Sequence, residues 1–251
     1  MSHSLRQGLI AFTLTATLAA AQQRSFVACP IVRDTKTVPC FLAEYNGETY
    51  FLGIQQDITS EFHPPQLKHE VLVEGAVAPG PRVCGGVPLK PLSISVIKEL
   101  NLACNTLLPA EPGIDAPPAA RGAGPAVRPL EISNTPRPQL SGPQEFTIRY
   151  AFEDDYLDFA ANRVISDAID YAKRVRASSV RVAGYRAITL LSNGNKLTEK
   201  DGLAEKRAQN IAELLRGSGV ANVSVGWKEE PEPADGKTDP SRRRATISVM
   251  P

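Results

Sequence analysis

The chain has 251 residues and a near-even balance of 28 lysines and arginines against 27 aspartates and glutamates, for a formal net charge of +1. That balance leaves no basic excess to argue for nucleic acid or an anionic membrane surface as a partner. The length admits one large domain or two small ones, and 21 prolines with only 6% aromatic residues suit modules joined by a linker.

Residues 1–21 read as a secretory signal: Arg6 gives the positive start, residues 8–18 are apolar, and Ala19-Ala20-Ala21 offers an A-x-A cleavage site ahead of Gln22. The apolar run is short for a bilayer span, so cleavage is expected, with an uncleaved anchor as the alternative. No later segment suits a spanning helix or a membrane barrel. The mature chain is therefore expected in the periplasm, with peripheral membrane contact at most. An even count of cysteines, Cys29, Cys40, Cys84 and Cys104, predicts two disulfides in an oxidising compartment, with three pairings open. Their spacing lacks the paired knuckles of a zinc site. Lipidation at Cys29 is the alternative use of that residue, but it would strand a thiol.

Residues 22–108 predict a small β-rich domain, stapled by the disulfides because so short a segment builds a modest core. Two strands, 38–45 and 48–54, flank Asn46-Gly47, a type I′ hairpin pair in which both residues take positive φ. Val71, Val73 and Gly75 continue the strand character, Cys84-Gly85-Gly86 marks a turn, and residues 92–102 read as a strand passing into a short helix. A small barrel of the OB type would fit this pattern. Residues 109–143 are rich in Pro, Ala and Gly, which predicts a linker. Extended as polyproline II it would reach roughly 100 Å at about 3.1 Å per residue, letting the two ends act at separate places.

The C-terminal part, 144–251, predicts an α+β domain. Strands are expected over 145–152, 180–183, 222–227 and 245–250. A helix over 160–176 carries Ala161, Val164, Ile165, Ala168, Ile169, Ala172 and Val175 on one face. A second helix, 198–216, would start at a Thr198 cap with Glu199 and Asp201 in its first turn, and bury Leu203, Ala204, Ala208, Ile211, Ala212 and Leu215. The loop 228–239 reads as exposed and mobile.

Three segments in this frame carry a resemblance: Gly184-Tyr185-Arg186, Leu203-Ala204-Glu205-Lys206-Arg207-Ala208, and Arg242-Arg243-Arg244-Ala245-Thr246-Ile247. Together they resemble the OmpA-like C-terminal domain family, over roughly the last two-fifths of the chain. The resemblance implies a βαβαββ sandwich that anchors an envelope protein non-covalently to peptidoglycan. In that family an arginine in L-S-x-x-R-A grips the carboxylate of the stem peptide, and an aspartate in G-H-T-D holds its ammonium. The first corresponds to Arg207, and the loop glycine to Gly184. Tyr185 stands where histidine is usual, and the aspartate position falls on Ala187. Asn193 or Asn195, in the longer loop that follows, or Asp201, would then have to meet the ammonium. Without the family, Arg207 reads as a surface residue paired with Glu205 or Glu213, and Arg242, Arg243 and Arg244 as solvated charge.

No enzyme is expected, since no nucleophile elbow, phosphate loop or thiol–histidine pair is evident. His63 and His69 read as surface residues rather than metal ligands, Asp34, Asp57 and Glu61 are too scattered for an acid–base pair, and no cofactor is implied. Two function readings remain. One is a peptidoglycan anchor, with the N-terminal domain engaging an unknown envelope protein, in the periplasm or at the outer membrane. The other is an OmpA-like fold that has lost the wall ligand and serves as a protein-interaction scaffold, as Ala187 suggests.

Overall fold

A computed structural model describes residues 22–55, 64–117 and 141–251. The expected signal segment, residues 118–140 of the expected linker, and Asp57, Glu61 and His63 lie outside the described residues.

The N-terminal unit is one seven-stranded sheet. Its strands are β1 (Gln23–Ala28), β2 (Pro30–Arg33), β3 (Cys40–Tyr45), β4 (Glu48–Ile54), β5 (His69–Val77), β6 (Val87–Leu100) and β7 (Thr106–Leu108), in the order β1-β5-β6-β4-β3-β2-β7. An OB-type barrel has five strands. Asn46 and Gly47 turn β3 into β4 with φ of 52° and 73°, the positive pair a type I′ turn needs. Strand β6 runs on to Leu100 where a short helix was expected, because it keeps pairing with β5 as far as His69↔Leu100, across an irregularity after Val71↔Val96. Phe26 stacks on Tyr45 at 4.7 Å inside the sheet's core. Cys29 pairs with Cys104, and Cys40 with Cys84. These staples tie β1 to the approach to β7, and β3 to the tight turn at 83–86.

The C-terminal unit runs β8 (Gln144–Arg149), α1 (Phe159–Val175), β9 (Ser179–Gly184), β10 (Ile188–Leu190), β11 (Lys196–Thr198), α2 (Leu203–Gly217), β12 (Val223–Trp227), α3 (Asp239–Arg242) and β13 (Arg244–Met250). Its sheet order is β12-β9-β13-β8, with β10 and β11 forming a separate hairpin. The buried faces of α1 and α2 pack with Ile148, Val180, Val182, Ala245, Ile247 and Val249 in one core. Asp158 caps α1 by accepting from the Ala161 N–H at 2.7 Å.

Helix α2 starts five residues later than expected, after Gly202 at φ 77°. Thr198 lies in β11 instead of capping the helix, and Glu199 and Asp201 precede the first turn. The cause is the hairpin: Gly194, at φ 87°, turns the chain so that 188–190 pairs with 196–198. The expected strand through Phe152 stops at Arg149, and a turn with Glu153 at φ 59° follows.

The loop 228–239 is tied down rather than loose. Asp239 is buried and accepts from the N–H groups of Leu190, Asp235 and Gly236. Backbone N–H groups of Thr238, then of Lys237, hold the Asp235 carboxyl well below the usual carboxylate range. A hydrogen bond from Arg244 lowers that of Glu232. A depressed folded pKa gives stabilisation that is complete above the unfolded value and lost as pH falls through the folded one. The melting temperature is therefore expected to fall as pH drops below about 5, and Asp235→Asn to shallow that slope. Identical slopes in calorimetric scans of the two proteins would refute the assignment.

The two units are packed together rather than held apart as a tether would leave them. Strand β5 turns Val71 and Val73 into the core of its own sheet and Leu72 to the opposite face, where a buried leucine needs cover. Leu72 from that face forms a buried cluster with Phe152 and Leu191, flanked by Val27 and Leu197. The Phe152 N–H donates to Ser95 Oγ at 2.8 Å. Ser25 and Ser192 exchange two bonds, Ser25 N to Ser192 Oγ at 2.9 Å and Ser192 N to Ser25 O at 2.7 Å. Beneath them Arg243 grips Glu74 at 3.1 and 2.5 Å, and also donates to Thr189 Oγ1 at 2.9 Å.

Candidate functional site: a closed arginine pocket

The site begins with a close approach of helix to strand. A Cβ on Gly184 would overlap the Ala204 carbonyl, so glycine there lets α2 sit directly on the end of β9. That contact sets Arg207, one turn further along α2, beneath the chain that leaves β9.

Arg207 has no solvent exposure (0%), although charged side chains are almost never fully buried unless paired. Its partners are complete. Nε donates to Asp154 O at 2.8 Å, Nη1 to Tyr185 O at 2.8 Å and Glu199 Oε2 at 3.0 Å, and Nη2 to Glu199 Oε1 at 2.7 Å and Ala151 O at 3.4 Å. The Tyr150 ring covers the guanidinium at 4.6 Å. This geometry replaces the expected pairing with Glu205 or Glu213.

Glu199 is the residue that sequence reasoning missed. Its carboxylate forms a fork-to-fork pair with Arg207, the strongest geometry open to these groups. It also accepts from Glu153 N at 3.1 Å and Ala187 N at 2.9 Å. Ala187, at the position expected to carry an aspartate, is itself buried. Arg186 locks the segment from the other side, donating to the carbonyls of Glu229 and Glu199 at 2.7 Å each and pairing with Asp201 at 2.6 Å. Asp201 is thus engaged by an arginine instead of waiting for an ammonium. The signal that could have found Glu199 was the Asn-Gly turn at 193–194: read as a hairpin tip, it moves the helix start past Gly202 and releases Glu199 from the helix.

The other expected ligand residues are not brought together. Gly184 serves helix packing, and Tyr185 lends its carbonyl to Arg207 while its ring stacks under Arg244 at 4.3 Å. Asn193 and Asn195 sit exposed at the hairpin tip, where Asn193 Oδ1 accepts from Asn195 N at 2.9 Å. The three arginines at 242–244 are not free solvated charge: Arg242 pairs with Asp235, Arg243 with Glu74 and Arg244 with Glu232. His69 lies in β5, its Nδ1 2.8 Å from Ile97 O. A stem-peptide carboxylate directed at Arg207 meets a guanidinium whose donors are all in use.

Neither a family model nor a curated protein matches the chain. Among solved structures it is similar to the OmpA-like domain of FopA1 from Francisella tularensis, at 21% identity over 43% of this chain and 71% of that one, with a TM-score of 0.34. It is also similar to the cell wall anchor of the T6SS from Pseudomonas aeruginosa, at 22% identity over 44% and 83% of the two chains and a TM-score of 0.34. A MotB-like protein from Desulfovibrio vulgaris is similar at 14% identity over 43% and 73%, again with a TM-score of 0.34.

Proposed function

We propose that this chain is a cell-envelope protein whose OmpA-like C-terminal domain acts as a protein-interaction scaffold, with its arginine pocket filled by its own Glu199. One observation carries the reading: Arg207 is fully buried and bonded on every N–H, twice to that carboxylate. A stem-peptide carboxylate would compete with one already in place eight residues away along the same chain, at the high effective concentration of an intramolecular ligand. Residence in the periplasm is supported by the two disulfides, which persist in oxidising compartments. Residues 22–108 then form a second domain, engaging an envelope protein and docked on the scaffold.

The anchor reading is favoured by the position of Arg207 in Leu203-Ala204-Glu205-Lys206-Arg207-Ala208. It requires Glu199 to leave the guanidinium. Co-sedimentation of the purified chain with isolated peptidoglycan sacculi separates the two. The wild type is expected to stay in the supernatant, as is Arg207→Lys. Wild-type sedimentation that Arg207→Lys abolishes, with both proteins folded by circular dichroism, would establish the anchor and overturn the scaffold.

A further inference from the structure

Two sheet edges face one cleft. In the C-terminal sheet β8 is a terminal strand, and in the N-terminal sheet so is β1. Tyr150 N donates to Arg243 O across the β8–β13 ladder. The register from Arg149↔Arg244 to Gln144↔Val249 then makes residues 144, 146 and 148 of β8 the hydrogen-bonded members. The N–H and C=O groups of Glu145, Thr147 and Arg149 therefore point away from the sheet, and no strand of the described residues pairs with them. The same alternation turns Gln23 of β1 outward. Gln23, Thr147 and Arg149 all line a cleft of about 610 Å³ between the two units, within the size range of ligand sites.

The walls and mouth of the cleft add chemistry. Leu92 and Ile94 from β6 form one apolar wall, Ala161 and Val164 from α1 the other. Tyr156, 73% exposed, stands at the rim. The carboxylates lining the cleft are engaged: Glu74 by Arg243, Asp154 by Lys98, Asp239 by backbone N–H groups, and Asp158 by Ala161 N. Two cations there, Arg149 and Lys237, have side chains with no partner among the described residues. An open strand edge, apolar walls and unpaired positive charge specify an extended chain with carboxylates.

We propose that this cleft binds an extended peptide segment of a partner protein bearing acidic side chains, by strand addition to the outer edge of β8. Main-chain bonds to Thr147 and Arg149 supply the register, and alternate side chains reach the apolar walls on one face and the cations on the other. The proposal names a seat and a chemistry for a partner of the scaffold. It rests on that reading only in expecting a protein ligand, because the cleft does not contain Arg207.

The test uses the purified chain and a fluorescein-labelled Thr-Val-Glu-Val-Glu-Thr peptide, read by fluorescence anisotropy. Saturable binding is expected, weakened about tenfold or more by the exposed substitution Arg149→Glu. Thr147→Pro, which removes an outward N–H and spares the ladder to β13, is expected to weaken it similarly, as is N-methylation of alternate peptide amides. No saturable binding up to about 1 mM would overturn the proposal. Equal binding by Arg149→Glu, or by the N-methylated peptide, would overturn it too, the latter assigning the surface to anions in general. Sacculus sedimentation through Arg207 would overturn the scaffold and leave this result standing.

Discussion

Arg207→Ala is expected to lower the unfolding free energy of the chain by about 3–5 kcal/mol, the cost of removing one partner from a buried ion pair. The variant strands the Glu199 carboxylate with no cation and leaves the carbonyls of Ala151, Asp154 and Tyr185 without their shared donor. Glu199→Ala is expected to cost a comparable amount by leaving the buried guanidinium without a counter-charge, held only by three carbonyls. Replacing both, as Arg207→Met with Glu199→Leu, should recover much of the loss, since two buried charges are taken from water to make the pair. Urea titrations of the four proteins check this. A loss below about 1 kcal/mol for Arg207→Ala is the value of an exposed pair, and would mean that the pocket is open to water.

Arg243→Ala is expected to cost a similar 3–5 kcal/mol or so, and to do it at the junction of the units. Glu74 is left buried without a counter-charge. Burial is the main influence raising the Glu74 carboxyl above its usual range, and Arg243 is the main one opposing it. Removing Arg243 pushes it up further. A folded pKa above the unfolded one means a penalty that is absent below the unfolded value and grows as pH rises through the folded one. The gap between wild type and variant should therefore widen only above the usual carboxylate range, as Glu74 ionises in the wild type but stays protonated in the variant. At neutral pH the variant should open at the junction before either unit unfolds, which small-angle scattering reads as a larger radius of gyration. An unchanged radius with one cooperative transition would show that the apolar cluster alone holds the units.

Elements whose determinants are local were readable from sequence. Asn46-Gly47 demands positive φ at both positions whatever surrounds it, and the apolar stripes of α1 and α2 follow helical spacing. The even cysteine count in a chain expected to be exported led to two disulfides, though not to their pairing. What stayed hidden depends on partners distant in sequence. Arg243 and Glu74 are 169 residues apart, and charged side chains read as surface unless the partner is known. Arg207 drew attention through the resemblance, as a ligand residue, while its buried partner Glu199 was masked by an acidic run that looks like an ordinary helix start. The contact between the units was foreshadowed only by Val71-Leu72-Val73, an unbroken apolar triplet in a strand that a one-sided sheet would have alternated.

That triplet also bears on the order of assembly. Domains form in the sequence in which synthesis delivers them, and both disulfides close within the first 104 residues. The seven-stranded unit can thus mature while Leu72 and Glu74 still wait for Phe152, Leu191 and Arg243. For that interval the nascent chain leaves Leu72 and Val27 uncovered, beside a Glu74 carboxylate without its cation. Such a surface invites misassociation with other copies, so its yield in the cell depends on how quickly the last hundred or so residues follow the first.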